Sequence, residues 1–446
     1  MKRQQRQQLQ QQMAQPRRNN TGLCSFLQAS PTPFHAVAAM AARLQDAGFQ
    51  QLDETAAWVL QPGSGYFITR NQSSLIAFRV GSDQSLASGW RMVGAHTDSP
   101  CLKVKPQPEL VRHGYFQLGV EVYGGALLNP WFDRDLSLAG RVHYLDSQLQ
   151  LRHALIDFRK AIAVIPSLAI HLDREVNQKR SINPQTDLPP LLLQTGANAP
   201  TGFRELLLVQ LQLEYPALDV KEVLDFEISL YDMNPPAMIG MGAEFLASAR
   251  LDNLLSCHVG MESLVASTGH SNRLLVCTDH EEVGSATAAG AAGPFLESVL
   301  RRCNEKLLDG SEQSYRQQLS RSTLVSVDNA HGIHPNFPDK HDSKHGPLLN
   351  GGPVLKFNAN QRYATNSETS ARFRQLCQAL QVPLQSFAVR SDMGCGSTIG
   401  PLIATELGIA TVDVGVPTLA MHSIRELAGT LDIGYLADAL TGFFNS

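Results

Sequence analysis

The chain of 446 residues lacks a strong excess of charge of either sign. It has 37 Lys and Arg against 41 Asp and Glu, which gives a formal net charge of −4. A general nucleic-acid-binding protein needs a strongly basic surface to neutralise phosphates, so this class is excluded. Only 17% of the residues are charged and 43% are hydrophobic, so a chain of this length can bury a large core.

Long apolar runs and paired cysteines are also missing. No apolar run reaches the roughly 18 residues that a membrane span needs, so we predict no membrane partner. The seven cysteines are widely spaced and form no C-x-x-C motif. This number and spacing argue against a disulfide framework and against a cysteine-type zinc site. We therefore predict reduced thiols and a cytoplasmic protein.

The first 20 residues differ in composition from the rest of the chain. They contain eight glutamines within the first fifteen positions and five basic residues, with no apolar segment. The absence of an apolar segment excludes a secretory signal. We predict a disordered, solvated tail at residues 1–20, and a nucleic-acid or membrane role for its basic residues is the alternative.

The remaining chain shows two kinds of pattern. Residues 21–105 and 242–446 alternate apolar strands with helical spacing, which predicts an α/β domain with helices packed over a mainly parallel sheet. Residues 106–241 show strand patterns at 116–123, 137–144 and 226–231, separated by Gly and Pro turns and without a long helix pattern. We predict that residues 106–241 form a separate β-rich domain inserted into the α/β domain.

Side chains that commonly bind metals follow four of the predicted strands. They are His96 and Asp98 after residues 90–95, Asp279 to Glu282 after residues 274–278, Asp328 after residues 323–327 and, one loop beyond residues 410–414, His422. Sites in open α/β sheets form at the carboxyl ends of strands, so we expect these side chains to meet. A set of imidazoles and carboxylates without thiolates suits zinc, and manganese or cobalt with the same geometry.

Each of these residues also has a simpler interpretation. A single histidine at a strand end is commonly a hydrogen-bonded structural residue, and Asp252 or Asp328 can serve as helix caps. The adjacent glutamates, Glu281 and Glu282, fit a solvated surface pair. Two adjacent side chains after a strand point in different directions, however, so one glutamate can bind a metal while the other faces a substrate.

Two familiar catalytic motifs are absent. The segment at residues 280–284 lacks the second histidine of H-E-x-x-H, and Ser397 has a cysteine two residues before it instead of the glycine of G-x-S-x-G. The glycine-rich residues 394–397 match no phosphate-binding pattern and indicate a tight turn. We therefore expect neither a nucleophilic-serine enzyme nor a nucleotide-binding protein.

Seven short strings resemble the aspartyl aminopeptidase family, which is metallopeptidase family eighteen among the two-metal exopeptidases. They are SPTPFHA at residues 30–36, HTDSP at 96–100, RLDN at 250–253, DHEEVGS at 279–285, HGIHPN at 331–336, CGSTIGP at 395–401 and MHSIRE at 421–426. They occur in the family's order and extend over nearly the whole chain. The glutamine-rich start is not part of the pattern.

The resemblance implies a phosphorylase/hydrolase-like sheet with helices on both faces and an inserted β-rich dimerisation domain. It also implies two divalent metal ions per subunit, with zinc expected first and manganese or cobalt as alternatives. The implied reaction is removal of the N-terminal residue of a peptide, with a preference for Asp or Glu. The implied assembly is a homo-oligomer of dimers, a tetrahedral dodecamer.

The resemblance also implies a role for individual positions. The metal ligands are His96, Asp252, Glu282, Asp328 and His422, with Asp252 bridging the two ions. Glu281 is the general base that activates the attacking water, and Asp98 orients His96. His331, Lys356 and Tyr363 contact the substrate, and His171 of the insert reaches the active site of a neighbouring subunit, where it touches substrate or metal.

Two other functions stay open from the sequence. One is another amide hydrolase of the same metal class, such as a carboxypeptidase or an N-acyl deacylase. The other is a non-catalytic assembly protein that keeps the fold. The intact Glu281 and the intact ligand set argue against the second.

Overall fold

The computed structural model describes residues 20–82, 87–195 and 202–446, so all but one residue of the predicted tail lie outside the described part. Two compact units are present. The first contains Met1–Asp98, Pro236–Met421 and Glu426–Ser446, and the second contains Ser99–Pro235 and His422–Arg425. The predicted insert, residues 106–241, overlaps the second unit, and its role in oligomerisation stays a prediction.

Along the chain, the helices and strands of the second unit are inserted between two parts of the first unit. The first unit begins with α1 (Thr21–Ala29), α2 (Pro33–Asp46), β1 (Gln50–Gln51), β2 (Gly65–Arg70), β3 (Ser74–Arg79) and β4 (Trp90–His96). The second unit contains β5 (Cys101–Arg112), β6 (Tyr115–Tyr123), β7 (Leu136–Leu145), β8 (Leu151–Asp157), α3 (Pro184–Asp187), β9 (Leu191–Gln194), α4 (Phe203–Glu214) and β10 (Glu222–Asp232).

The first unit then resumes and supplies most of the helices. Its elements are β11 (Ala237–Ile239), β12 (Phe245–Ser248), α5 (Leu251–Ala266), β13 (Asn272–Thr278), α6 (Phe295–Leu307), α7 (Glu312–Ser320), β14 (Thr323–Val327), β15 (Ala330–His331), β16 (Val354–Phe357), α8 (Ser367–Ala379), β17 (Gln385–Ala388), α9 (Ile399–Leu407), β18 (Ala410–Gly415), β19 (Pro417–Leu419), β20 (Glu426–Gly429) and α10 (Thr430–Asn445).

A nine-stranded sheet forms the centre of the first unit, in the order β1-β2-β3-β13-β4-β14-β18-β16-β17. The four strands β13, β4, β14 and β18 run parallel to one another. In register, Thr278 lies opposite His96, and Val327 lies opposite Val414. The carboxyl ends of these strands therefore meet at one edge of the sheet.

Helices cover both faces of this sheet because successive strand residues point to opposite sides. In β13, Leu275 and Cys277 pack in one hydrophobic cluster with residues of α1, α2 and α5. The intervening Leu274 and Val276 pack in another cluster with residues of α6, α7 and α9. The predicted α/β fold with helices on both faces of a mainly parallel sheet is confirmed.

A second sheet of the first unit joins the segments that carry several predicted site residues, in the order β11-β12-β20-β19-β15. Residues 243–266 are mostly helical, because α5 covers Leu251–Ala266, but a short strand precedes this helix. Phe245–Ser248 is a strand that pairs antiparallel with Glu426–Gly429. This partner lies far away along the chain, so local periodicity does not reveal it.

The second unit is built on a six-stranded antiparallel sheet, in the order β8-β7-β10-β5-β6-β9. The β-rich character matches its sequence pattern, but α4 was not predicted. This helix buries Phe203, Leu207 and Leu211 in the core of the unit. Apolar residues on its other faces, such as Leu206 and Leu208, blur the helical period in the sequence.

Two further features concern the whole described chain. Within the described residues, none of the helices combines the length and the hydropathy that crossing a bilayer requires. All seven cysteines are described, and each is a free thiol, as the spacing predicted.

Candidate active site

The predicted site residues of the first unit gather at the carboxyl edge of the nine-stranded sheet. His96 is the last residue of β4, and Asp328 directly follows β14. Asp252 belongs to the start of α5, where the backbone of Asp252 and Asn253 is not yet helical. The side-chain amide of Asn253 donates to the carbonyl of Val327 at 2.8 Å. This bond ties the start of α5 to the end of β14.

His96 and two aspartates form a buried cluster. The Nε2 atom of His96 lies 3.5 Å from Oδ1 of Asp252 and 3.8 Å from Oδ1 of Asp328. Potential ligand atoms of all three residues lie within 4.8 Å of one another. Imidazole and carboxylate donors at this spacing fit a zinc-type divalent cation, and the buried negative charge of two carboxylates favours such an ion.

The electrostatics of His96 reflect the same excess of carboxylates. Burial alone lowers the pKa of the His96 imidazole. Hydrogen bonds to the carboxylates of Asp252, Asp328 and Asp98 outweigh burial, so the pKa lies well above its ordinary value. Without metal, the His96 imidazole therefore keeps its second proton beside these carboxylates. A metal ion that binds His96 must displace this proton, because a ligating imidazole is neutral.

The adjacent glutamates lie on a short 3₁₀ turn, Glu281–Val283, that follows β13. His280 and Gly284 flank the turn, and both have left-handed backbone conformations, with φ of 66° and 98°. Ligand-type atoms of His96, Glu281 and Glu282 lie within 4.8 Å of one another. The structure therefore brings both glutamates to the cluster, where they are half-buried and do not form a solvated surface pair.

Glu281 has the electrostatic character of a proton acceptor. Burial raises the pKa of Glu281 to about 7, from an ordinary value of 4.5. His96 opposes this effect, and the nearby carboxylates of Asp328 and Asp252 add to it. A carboxyl group with a pKa near neutral pH can both take up and return a proton during a reaction.

Asp98 holds two parts of the site at once. Its side chain is completely buried. One carboxylate oxygen accepts the backbone N–H of Glu281, and the other accepts the N–H of Glu282, both at 3.1 Å. The first oxygen also lies 3.3 Å from Nδ1 of His96. Asp98 thus contacts the imidazole that it was predicted to orient, and it also fixes the turn that carries both glutamates.

Lys356 and Tyr363 lie beside Asp328. The ammonium of Lys356, which is only 2% exposed, donates to the carbonyl of Asn329 at 2.9 Å and lies 3.4 Å from Oδ2 of Asp328. It also lies 5.1 Å from the ring centroid of Tyr363. Burial raises the pKa of the Tyr363 phenol, so its hydroxyl stays protonated. The ammonium of Lys356 therefore neutralises the carboxylate of Asp328 inside the protein.

His331, the other predicted substrate contact of this unit, is the last residue of β15 and is exposed. Its ring stands edge-on to Phe387 at a centroid distance of 5.7 Å. Phe387 belongs to a small hydrophobic cluster with Tyr363, Ala330 and Val354. The His331 ring thus contacts a member of the cluster to which Tyr363 also belongs.

His422 and His171 belong to the second unit. The Nδ1 atom of His422 lies 3.2 Å from the carbonyl oxygen of Gly125, so this carbonyl fixes the orientation of the ring. His171 is exposed in a turn region. The side chains of Ile170 and Leu172 on either side of it are 45% and 75% exposed.

Sequence comparison places this set of residues in a known family. The sequence profile described as Aminopeptidase I zinc metalloprotease (M18) matches residues 26–444. A protein of Pseudomonas aeruginosa strain UCBPP-PA14, named probable M18 family aminopeptidase 2, is 58% identical over 427 residues, which cover 96% of this chain and 98% of the relative. The chain belongs to the M18 family. It is a metallo-aminopeptidase, a hydrolase of peptide bonds.

Solved structures of M18 proteins share the fold. A chain in a cryo-EM structure of the Ape4 and Nbr1 complex has a TM-score of 0.90 at 38% identity, over 95% of this chain and 84% of that chain. A chain in a structure of the S. cerevisiae mApe1 dodecamer has a TM-score of 0.82 at 28% identity, over 94% of this chain and 95% of that chain.

Glu426 is a residue of this M18 site to which the sequence assigned no role. It is 2% exposed, and its carboxylate accepts the backbone N–H of Asp252 at 3.0 Å. Glu426 is the first residue of β20, where it pairs with Ser248, the last residue of β12 and four positions before Asp252. In the sequence, the only indication of a role for Glu426 was its place at the end of the MHSIRE string. The structure shows which backbone group it holds, because the pairing of β20 with β12 brings it to the N–H of Asp252.

Proposed function

We propose that this M18 protein is a two-metal aminopeptidase that removes N-terminal Asp or Glu from peptides. The observation that carries the proposal is the position of the adjacent Glu281 and Glu282. Their turn is held by the buried Asp98 and lies beside His96, so one carboxylate can bind metal while its neighbour handles a proton. Such a division of labour is required for metal-assisted hydrolysis.

Five residues would hold the two ions. They are His96, Asp252, Glu282, Asp328 and His422. When bound, the ions lower the pKa of a water molecule and polarise the peptide carbonyl. The donor chemistry suits zinc, and manganese and cobalt are the alternatives.

Glu281 then acts as the general base. With a pKa raised by burial, its carboxylate accepts a proton from the attacking water and returns that proton to the leaving amine. Asp98 keeps this carboxylate in place through the backbone of the turn and orients His96 through Nδ1. His331, Tyr363 and Lys356 would contact the substrate around the scissile bond.

Assembly is the second part of the proposal. One solved relative is a dodecamer of S. cerevisiae mApe1. We propose that this chain also forms a homo-oligomer built from dimers, a dodecamer, in which His171 reaches the active site of a neighbouring subunit. The exposed apolar side chains on both sides of His171 support a contact surface there. A cytoplasmic location is part of the same proposal, based on seven free thiols.

A panel of aminoacyl reporter substrates tests the function. The protein loaded with zinc should cleave Asp and Glu reporters faster than Leu or Lys reporters, and it should not cleave N-acetyl-Asp reporters. Chelation should abolish the activity, and zinc, manganese or cobalt should restore it. Faster cleavage of Leu would refute the acidic preference. A requirement for a free α-carboxylate, or no turnover at full metal occupancy, would contradict the proposed reaction.

A further inference from the structure

A pocket of about 280 Å³ lies next to His331 and is rich in cationic and hydrogen-bond-donating side chains. Its polar lining includes His331, His334, Lys340, His341, Asp342 and Arg390. The residues all belong to the first unit. His331 is the one lining residue that has been given a role above, so the rest of the lining has no assigned function.

Lys340 supplies the available positive charge of the pocket. It is exposed, and within the described residues no carboxylate lies at ion-pair distance from its ammonium; Asp392, whose pKa is lowered first by Arg390, also feels the charge of Lys340 from farther away. Arg390 is already engaged, because Asp392 accepts its Nε and Nη2 at 2.9 and 2.7 Å and the carbonyl of Asp339 accepts Nη1. Arg390 therefore lines the pocket as one half of an ion pair, whereas Lys340 can meet an incoming anion.

Two histidines add hydrogen-bond donors. The Nδ1 atom of His334 accepts the backbone N–H of Asn336 at 3.2 Å, so the neutral ring carries its proton on Nε2. The Nε2 atom of His341 accepts the N–H of His334 at 3.2 Å, so its proton is on Nδ1. Burial lowers the pKa of His341, and nearby His334 lowers it further, so His341 stays neutral at pH 7.

One carboxylate also lines the pocket, and it is occupied by other partners. Asp342 accepts from Nδ1 of His345 at 2.6 Å and from the N–H of Lys344 at 3.0 Å. These bonds lower the pKa of Asp342, so its carboxylate is ionised and already has hydrogen-bond donors of its own. The remaining lining favours an anion, and a carboxylate is the anion that a peptide can offer.

Phe387 lines this pocket, whereas Lys356 and Tyr363, the predicted contacts beside Asp328, do not. Phe387 belongs to the same hydrophobic cluster as Tyr363, and the ring centroid of Tyr363 lies 5.1 Å from the ammonium of Lys356. The ring of Phe387 also faces His331. A substrate group in the pocket is therefore a different group from the one that meets Lys356 and Tyr363.

We infer that this pocket binds a carboxylate on the leaving side of the substrate, after the scissile bond, with Lys340 as its cationic contact. The inference rests on the proposed function, in which His331, Tyr363 and Lys356 contact the substrate around the scissile bond, and it takes Lys356 and Tyr363 as the contacts of the N-terminal residue. The carboxylate is either the side chain of an acidic second residue or the α-carboxylate of a dipeptide. The enzyme thereby selects peptides by the group on the leaving side as well as by the residue it removes.

Four peptides with the same N-terminal residue test the inference: Asp-Glu-amide, Asp-Gln-amide, Asp-Ala and Asp-Ala-amide. Release of Asp by the zinc-loaded enzyme gives kcat/KM for each. We expect a preference of roughly fivefold for the charged member of at least one pair, the size of a partly exposed charge contact. Preference within the Glu and Gln pair identifies the side chain, and preference within the Asp-Ala pair identifies the α-carboxylate.

Three variants assign this preference to Lys340. Lys340→Gln should bring the ratio close to one, and Lys340→Arg should restore it. Lys344→Gln is the matched control, because Lys344 is an exposed lysine of the same loop that does not line the pocket. It should keep the parent ratio.

Two results would overturn the inference while the proposed function stands. One is a parent enzyme that cleaves all four peptides equally well. The other is a Lys340→Gln variant that loses activity equally on charged and uncharged peptides and on an Asp reporter without a second residue. Failure of the proposed function gives a different result, because no Asp peptide is then cleaved.

Discussion

Replacement of Asp98 by Asn gives the sharpest test of how this site is held together. The two carboxylate oxygens accept two backbone N–H groups, from Glu281 and Glu282, and one oxygen also faces His96. An amide offers only one acceptor oxygen, so one N–H of the turn would face an NH₂ group. Loss of one hydrogen bond to a buried charge costs about 1.5–3 kcal/mol. That range corresponds to roughly a 10- to 150-fold loss.

We expect the loss in metal affinity and in kcat/KM, since both the imidazole and the glutamate turn depend on Asp98. Metal affinity is measured by competition with a chromogenic chelator, and kcat/KM with an Asp reporter at full metal occupancy. Asp432→Asn is the matched control. Asp432 is also a buried carboxylate that accepts two backbone N–H groups, from Asn350 at 2.6 Å and Gly352 at 2.8 Å.

The control should alter thermal stability and leave metal affinity unchanged, because Asp432 contacts neither His96 nor the glutamate turn. The reasoning is refuted if Asp98→Asn binds metal and turns over the reporter as the parent does. It is also refuted if both variants lose metal affinity to the same extent, since the effect would then come from general destabilisation.

Four further predictions address other parts of the molecule. Glu281→Gln should keep its metal and lose about 10²–10⁴-fold in kcat, whereas Glu282→Ala should lose metal, as elemental analysis of both proteins will show. Burial raises the pKa of Asp432 to about 7, so the folded protein binds the extra proton. The contribution of Asp432 to stability should therefore fall as the pH rises from about 4 through 7, and Asp432→Asn should flatten the melting temperature against pH in that window. Lys356→Met removes the buried partner of a carboxylate and should lower the melting temperature of the chelated protein more than that of the zinc-loaded protein, with equal losses contradicting the pairing. Co-expression of His171→Ala with Glu281→Gln should restore roughly a quarter of the sites if a two-fold interface exchanges His171, and confirmed mixed oligomers without restored activity would exclude the exchange.

The predictions from sequence succeed where chemistry and local pattern agree. The apolar runs that lead to His96 and Asp328 are neighbouring parallel strands of one sheet, so their carboxyl ends had to meet. Local pattern was insufficient where the partner of a segment is distant. The strand at Phe245–Ser248 could not be recognised from its own residues, because its partner Glu426–Gly429 lies far along the chain. The helix Phe203–Glu214 was missed because its own apolar residues lie on several of its faces, so the sequence shows no clear helical period.

The sequence by itself determined the family, the α/β architecture and the kinds of donor in the site. These features depend on residue types in order along the chain, and the motifs preserve that order. Only the tertiary structure decided how the donors are supported, because hydrogen bonds join groups that are distant in sequence. Asp98 reaches across to the turn of Glu281, and Glu426 holds the backbone of Asp252. Lys356 looks in the sequence like a cation for substrate, and burial beside Asp328 gives its charge a partner inside the protein.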